Sequence, residues 1–173
     1  MKKMFSLMLL GLILVTGESF INKNKPAEKN LPGYSLTVDG ADFVARATNN
    51  YQAQLINNSK TASITLLGDE VRDKQGHVYP SKIQIDYTFK EGMLGEVNVE
   101  NMSYEYNNQK YNALPGTAFV SITKMKWSTD KKSFALSADV FCKVQRSFVM
   151  EENVPVFVIR GQVQNLQVNA PAL

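Results

Sequence analysis

Along residues 82–89, KIQIDYTF, apolar and polar side chains alternate without a miss. Ile83, Ile85, Tyr87 and Phe89 fall on one parity, and Lys82, Gln84, Asp86 and Thr88 on the other. A period of two sends successive side chains to opposite faces, so the segment predicts a strand with one dry face and one wet. Residues 133–144 carry a longer version, with Phe134, Leu136, Ala138, Val140, Cys142 and Val144 on one parity. Shorter alternations run through 35–38, 42–48, 51–56, 61–67, 97–99, 119–127 and 156–168.

Turn formers separate these runs: Asp39-Gly40, Asn49-Asn50, Asn57-Asn58, Lys74-Gln75-Gly76, Glu91-Gly92 and Asp130-Lys131. Gly and Asn tolerate positive φ, which tight hairpin turns demand. Asp39-Gly40 and Asn49-Asn50 sit where two-residue loops belong. Two parity switches predict irregularities. Val97 and Val99 disagree with Met102, Tyr104 and Tyr106, which places a bulge near Glu100 and Asn101. Val156, Val158, Leu166 and Val168 disagree with Ile159 and Val163, which places a bend at Gly161. Sustained 3.6-residue stripes are lacking after the N-terminus. The expected fold is all-β, an antiparallel β-sandwich with an up-and-down β-barrel as the alternative.

The first residues change the picture. Lys2 and Lys3 precede an apolar run of about a dozen residues, the length of a signal-peptide core and short of the roughly 20 a membrane-spanning helix needs. The expected organisation is a cleaved signal peptide over 1–17, a flexible polar leader over 18–33 and one all-β domain over 34–173. The protein is expected to be exported, periplasmic or secreted. Lacking a lipobox cysteine, it is not expected to be a lipoprotein, nor to have a transmembrane span in its mature form. Of 19 basic residues, Lys2 and Lys3 leave with the signal while all 16 acidic residues stay, so the formal charge falls from +3 to +1. A nearly neutral protein has no general electrostatic attraction for nucleic acid, and none is expected as a partner. Cys142, the single cysteine, permits no intrachain disulfide, so burial and sheet hydrogen bonds must hold the fold.

Candidate chemistry is sparse. His77 is the one histidine, with Asp69 and Asp73 nearby in GDEVRDKQGHVYP. These three are the available metal candidates, but the spacing is neither that of an EF-hand nor that of a zinc site, and no metal is expected. A serine or cysteine nucleophile would have to use His77, and no GxSxG elbow surrounds a serine. Cys142 lies on the apolar parity, as a small buried hydrophobe would. Asp42, Asp86, Glu96, Glu100, Glu105 and Asp139 fall in or near strands, and two of them could form a glycosidase pair. Phosphate-binding glycine loops are absent, so no nucleotide or other cofactor is expected.

Aromatic residues offer more. Lys124, Lys126, Lys131 and Lys132 surround Trp127, although alternation alone puts the lysines outside and Met125 and Trp127 inside. In MSYEYNNQKYNALPG, a two-residue Asn107-Asn108 loop would set Tyr106 opposite Gln109, Glu105 opposite Lys110, Tyr104 opposite Tyr111 and Met102 opposite Ala113. Such cross-strand pairs stabilise a hairpin without any ligand. Were the tyrosine face exposed, Tyr104, Tyr106, Tyr111 and Trp127 would be the residues to stack on a ligand.

The order of VDGADFVARAT (38–48), SITLLGD (63–69), SITKMKWSTDKKSFALSADVFCKV (121–144) and VIRGQVQNLQV (158–168) resembles a family of small exported β-rich domains of unknown function from Gram-negative envelopes. Such domains look similar in an opening DG-x-x-F-x-A, a mid-chain I-T-K strand, a turn and a late strand. Many have a glycine where this chain has Phe134-Ala135-Leu136-Ser137, and many are lipoproteins. The resemblance implies an exported β domain and assigns no catalytic residue. The expected function is non-catalytic binding of a partner protein, a glycan or another envelope component. The alternatives are a carboxylate-dependent glycosidase and a barrel that carries a small apolar ligand.

Overall fold

The computed structural model describes residues 33–43, 50–72, 78–146 and 154–169. The expected signal peptide and residues 18–32 of the expected leader lie outside these, as do Asn49, the Lys74-Gln75-Gly76 turn, Asp73 and His77, while Gly33, expected to end the leader, opens the first strand. The described residues are all-β, with no helix. In chain order the strands are β1 (Gly33–Val38), β2 (Ala41–Phe43), β3 (Tyr51–Ile56), β4 (Thr61–Arg72) and β5 (Val78–Thr88), followed by β6 (Gly95–Glu96), β7 (Val99–Tyr106) and β8 (Gln109–Ala113). The last three are β9 (Phe119–Trp127), β10 (Ser133–Arg146) and β11 (Val156–Asn169). None of these is long, apolar and helical enough to cross a membrane.

All eleven strands belong to one sheet, in the order β2-β1-β11-β3-β4-β5-β7-β8-β10-β9-β6. β11 also pairs with β10 along nearly its whole length, so the pairings from β11 through β3, β4, β5, β7, β8 and β10 return to β11. Two of those links are short. β11 meets β3 only at Asn169 and Gln54, in parallel, and β8 meets β10 over Ala113, Asn112 and Tyr111. Tyr51 helps hold the first link, because its Oη accepts the Gln167 N–H at 3.0 Å.

The alternating patterns place the core. Ile83, Ile85 and Tyr87 of β5 are buried, and so are all six apolar-parity residues of β10 from Phe134 to Val144. Ala62, Ile64 and Leu66 of β4 join them, with Ile159, Val163, Leu166 and Val168 of β11. The other parity carries polar networks. Asp86 accepts from Ser63 Oγ (2.6 Å), Gln84 Nε2 (3.0 Å) and Asn101 Nδ2 (3.0 Å). Glu100 accepts from the Thr61 and Thr88 hydroxyls, each at 3.1 Å.

Turns follow the predicted residue types. Asp39 and Gly40 have φ of 52° and 81°, with Val38 opposite Ala41, so they form a two-residue hairpin loop. Asn107 and Asn108, at φ 49° and 57°, form another. The register there is Tyr106 to Gln109, Glu105 to Lys110 and Tyr104 to Tyr111, as the composition predicts. The β7–β8 ladder runs as far as Ser103 and Asn112, just short of Met102 and Ala113. On their other sides Ala113 faces Val144 of β10 and Met102 faces Ile85 of β5. Glu105 Oε2 reaches Lys82 Nζ at 2.9 Å, because β5 flanks the hairpin on that side.

Glu100 is the predicted bulge: Asp86 faces Asn101 while Tyr87 faces Val99. The second parity switch is not at Gly161. Leu136 faces Leu166 and Ala138 faces Val163, which leaves one extra residue in β11 before Leu166. Asn165 takes up that residue in a left-handed conformation, φ 50°, with its N–H donated to Ser137 Oγ at 3.1 Å. Asn tolerates this region because its short side chain clashes little, so a glycine is not needed. Gly161 instead lets β1 come close. An added Cβ there would lie 2.0 Å from the Ser35 carbonyl oxygen.

Candidate functional site

The β1–β2 hairpin folds one end of the sheet over an aromatic cluster. Its Tyr34 donates a hydrogen bond to the Leu67 carbonyl of β4, and its ring lies 5.8 Å from that of Phe43. Phe43 in turn meets Tyr104 edge-on at 6.4 Å. Phe43 fits because residue 68 is glycine. A Cβ on Gly68 would come within 2.6 Å of the Phe43 ring and 2.4 Å of Ser81 Oγ. β4 bulges there against β5, and Ser81 Oγ caps the bulge by donating to the Asp69 carbonyl at 2.9 Å.

From the other side comes Phe157 of β11. Its ring is 4.8 Å from Tyr111 and 5.8 Å from Tyr104, both in edge contacts of the kind that aromatic quadrupoles favour. Tyr104 and Tyr111 are consequently buried, each 6 % exposed. Tyr106, 39 % exposed, lays its ring on Tyr104 at 5.9 Å and 22°. Both point the same way although they are two residues apart, as alternate positions of one strand must.

Between the hairpin and the tyrosines opens a cleft of about 320 Å³. Phe43, Phe157, Tyr104 and Tyr106 supply its apolar walls, and Asp39, Asp42 and Asp69 its charge. Asp39 also serves the fold, since its Oδ1 accepts the Val158 N–H at 2.7 Å. Asp42 and Asp69 are exposed at the rim.

Trp127 lies elsewhere. It faces Phe134 at the start of β10, whereas Tyr111 faces Arg146 at its end. Its partners are Phe89 at 6.3 Å and Phe134 at 4.9 Å, and among the described residues its buried Nε1 has no hydrogen-bond partner. Lys124 and Lys126 are exposed beside it on the wet face of β9. So Tyr104, Tyr106 and Tyr111 come together, and Trp127 belongs to a separate cluster at the far end of the sheet.

Of the metal candidates, Asp69 lies on the cleft, while Asp73 and His77 are outside the described residues. Among the described residues no three His, Cys, Asp or Glu side chains converge as ligands would. Asp86 and Glu100, considered above for acid–base work, are each engaged by hydroxyl or amide donors on the sheet face. Cys142 is buried, and burial pushes its thiol up to about 11. Phe43, Phe157 and Tyr34 are site residues that sequence reading missed. The signal for Phe43 was its place in the DG-x-x-F motif. For Phe157 there was none, because its partners lie more than forty positions away in the chain.

Burial raises the phenols that line this end of the molecule. Burial, with Asp69 adding to it, pushes Tyr34 up to about 12. Burial and then the neighbouring Tyr106, Tyr111 and Asp39 hold Tyr104 above the usual phenol range. Both phenols stay neutral in the folded protein after an unfolded chain has begun to ionise near pH 10. The folded state therefore binds more protons above that point, and its stability falls as pH rises. We expect full stability below about pH 10 and cooperative loss of sheet circular dichroism between about pH 10 and 12, together with tyrosinate absorbance. Tyrosinate formed in full with the sheet signal unchanged would contradict it.

Comparison with protein-family models, with curated protein sequences and with solved structures finds no match to this chain. A functional reading must come from the cleft itself.

Proposed function

We propose that the chain is an exported, non-catalytic binding module that seats its ligand in the cleft beneath the β1–β2 hairpin. The observation that supports it most directly is the Tyr106 ring, 39 % exposed and stacked on a buried Tyr104 at the edge of an aromatic cleft. A large ring kept partly in water forgoes burial that would stabilise the fold, and a ligand can recover it. Tyr104 and Tyr111, buried beneath, fix the ring's position so that little freedom is lost on binding. The N-terminal apolar run supports export.

For the architecture we favour two layers stitched together at both sides. β11, with β10, β9, β1, β2 and β6, forms one layer, and β3, β4, β5, β7 and β8 the other. The short β11–β3 and β8–β10 links are the stitches. This is a sandwich closed into a flattened barrel, with its interior taken up by the apolar parities of β4, β5, β10 and β11.

The experiment is a binding titration of Tyr106→Ala against the wild type, followed by amide chemical shifts with a panel of oligosaccharides and short peptides. A central tyrosine truncated to alanine costs on the order of 2 kcal/mol, so affinity for whichever probe binds is expected to fall more than tenfold. The melting temperature is expected to change little, since the ring lies at the surface. Unchanged affinity in a folded Tyr106→Ala protein would refute the reading.

A further inference from the structure

We infer that the cleft takes an organic cation on an apolar stem, a guanidinium or primary ammonium group, with its head among the rim carboxylates and its stem against the aromatic walls; this rests on the binding-module reading above. Three carboxylates, Asp39, Asp42 and Asp69, line the cleft, and among the described residues no lysine or arginine does. Asp42 and Asp69 are exposed, so each keeps acceptor capacity for a ligand.

A second feature points the same way. Tyr104 lines the cleft with little of its surface exposed, and among the described residues its hydroxyl makes no hydrogen bond. That hydroxyl is not one of the buried unpaired polar atoms, so it is reached by solvent and open to a ligand. Burial first, then the neighbouring Tyr106 and Tyr111 and last Asp39, keep this phenol protonated. A neutral phenol offers a lone pair to an incoming N–H, which a cationic head supplies.

The walls fit the same class. Phe43 and Phe157 offer apolar area for an alkyl stem, and the exposed Tyr106 ring offers a negative π face to a cation. Charge-assisted hydrogen bonds to carboxylates then supply direction. The volume of about 320 Å³ is at the small end for ligand pockets, suited to a single side chain or a small amine. A neutral sugar would bring hydroxyl donors but no counter-charge to these carboxylates, so a cation gains the stronger, charge-assisted bonds.

The test uses the isotope-labelled protein and follows the amides of Asp42, Phe43, Asp69 and Tyr106. The probes are butylguanidinium, the peptide acetyl-Gly-Arg-Gly-amide, its neutral counterpart acetyl-Gly-Gln-Gly-amide, and maltose. Cationic probes are expected to shift these amides at least tenfold more tightly than neutral ones. The Asp42→Asn, Asp69→Asn double variant is expected to lose at least fivefold in that affinity. Raising salt from about 50 to about 500 mM should weaken binding to the wild type severalfold, a readout that needs no variant. Binding of butylguanidinium as tight as that of the peptide would identify a free small cation as the ligand, and peptide-only binding a partner protein's side chain. Equal affinity for neutral and cationic probes, or affinity indifferent to both the double variant and salt, overturns the cation assignment and leaves the binding module standing. Silence of all four probes, with Tyr106→Ala also without effect on the wider panel, overturns both.

Discussion

Gly161→Ala is expected to destabilise the protein by about 3 kcal/mol, combining overpacking with backbone strain. Gly161 has φ 145°, a conformation that favours glycine. The added Cβ would lie 2.0 Å from the Ser35 oxygen and 2.8 Å from the Leu36 Cα. Both are backbone atoms, so no rotamer change can relieve the contact, and β1 must move off β11. For a domain of this size the melting temperature should drop by roughly 6–12 °C. β1 continues directly into the turn and strand that carry Asp39, Asp42 and Phe43, so the same substitution should disturb the cleft amides before the protein melts. Gly33→Ala is the control, because nothing lies within 4 Å of that position. Its effect is expected to stay within about 0.5 kcal/mol. Equal melting of the two variants would show that the close approach at Gly161 carries no energetic weight.

Phe134→Ala is expected to cost about 3–5 kcal/mol, the range for emptying a buried aromatic site. Phe134 is fully buried, stacked on Phe89 at 5.1 Å and 18°, and 4.9 Å from Trp127. Its loss opens the pocket in which Trp127 packs, so indole fluorescence should shift to the red in parallel with the fall in stability. Phe134→Leu retains most of the volume and should cost less than about 1.5 kcal/mol. The cleft tells the two aromatic clusters apart. Phe134 is ten residues from Val144 along β10, roughly 33 Å, and the tyrosines lie beyond that end. Ligand affinity per folded molecule is therefore expected to be unchanged in Phe134→Ala. A binding loss larger than the loss of folded protein would mean that the two ends are coupled.

Much of the local structure was legible in the residue pattern because it depends on neighbours in the chain. Strict alternation in β5 and β10 located their dry faces, and Asp39-Gly40 and Asn107-Asn108 announced their turns because few residues accept positive φ at two successive positions. The bulge at Glu100 was legible for the same reason, as a break in parity. The break in β11 was legible too, but its position was not. Either Gly161 or Asn165 could absorb an extra residue, and the choice lay with the partner strands: β10 places Ser137 to receive the Asn165 N–H, while β1 presses on Gly161.

The candidate site was half legible. Composition singled out Tyr104, Tyr106, Tyr111 and Trp127 as equals, since strand propensity and ring chemistry are the same for all four. Exposure separates them, and exposure depends on what covers each ring. Phe157 arrives from a strand late in the chain to bury Tyr104 and Tyr111, Phe89 and Phe134 take Trp127, and Tyr106 stays partly in water. By itself, then, the sequence determined an all-β chain, its turns at Asp39-Gly40 and Asn107-Asn108 and the dry faces of its regular strands, all set by contacts a few residues long. Only the tertiary structure decided that Phe43 would sit over Gly68, that three aspartates would share one cleft, and that a single tyrosine would remain available at its edge. Those outcomes come from pairings between distant strands, whose register no local pattern encodes.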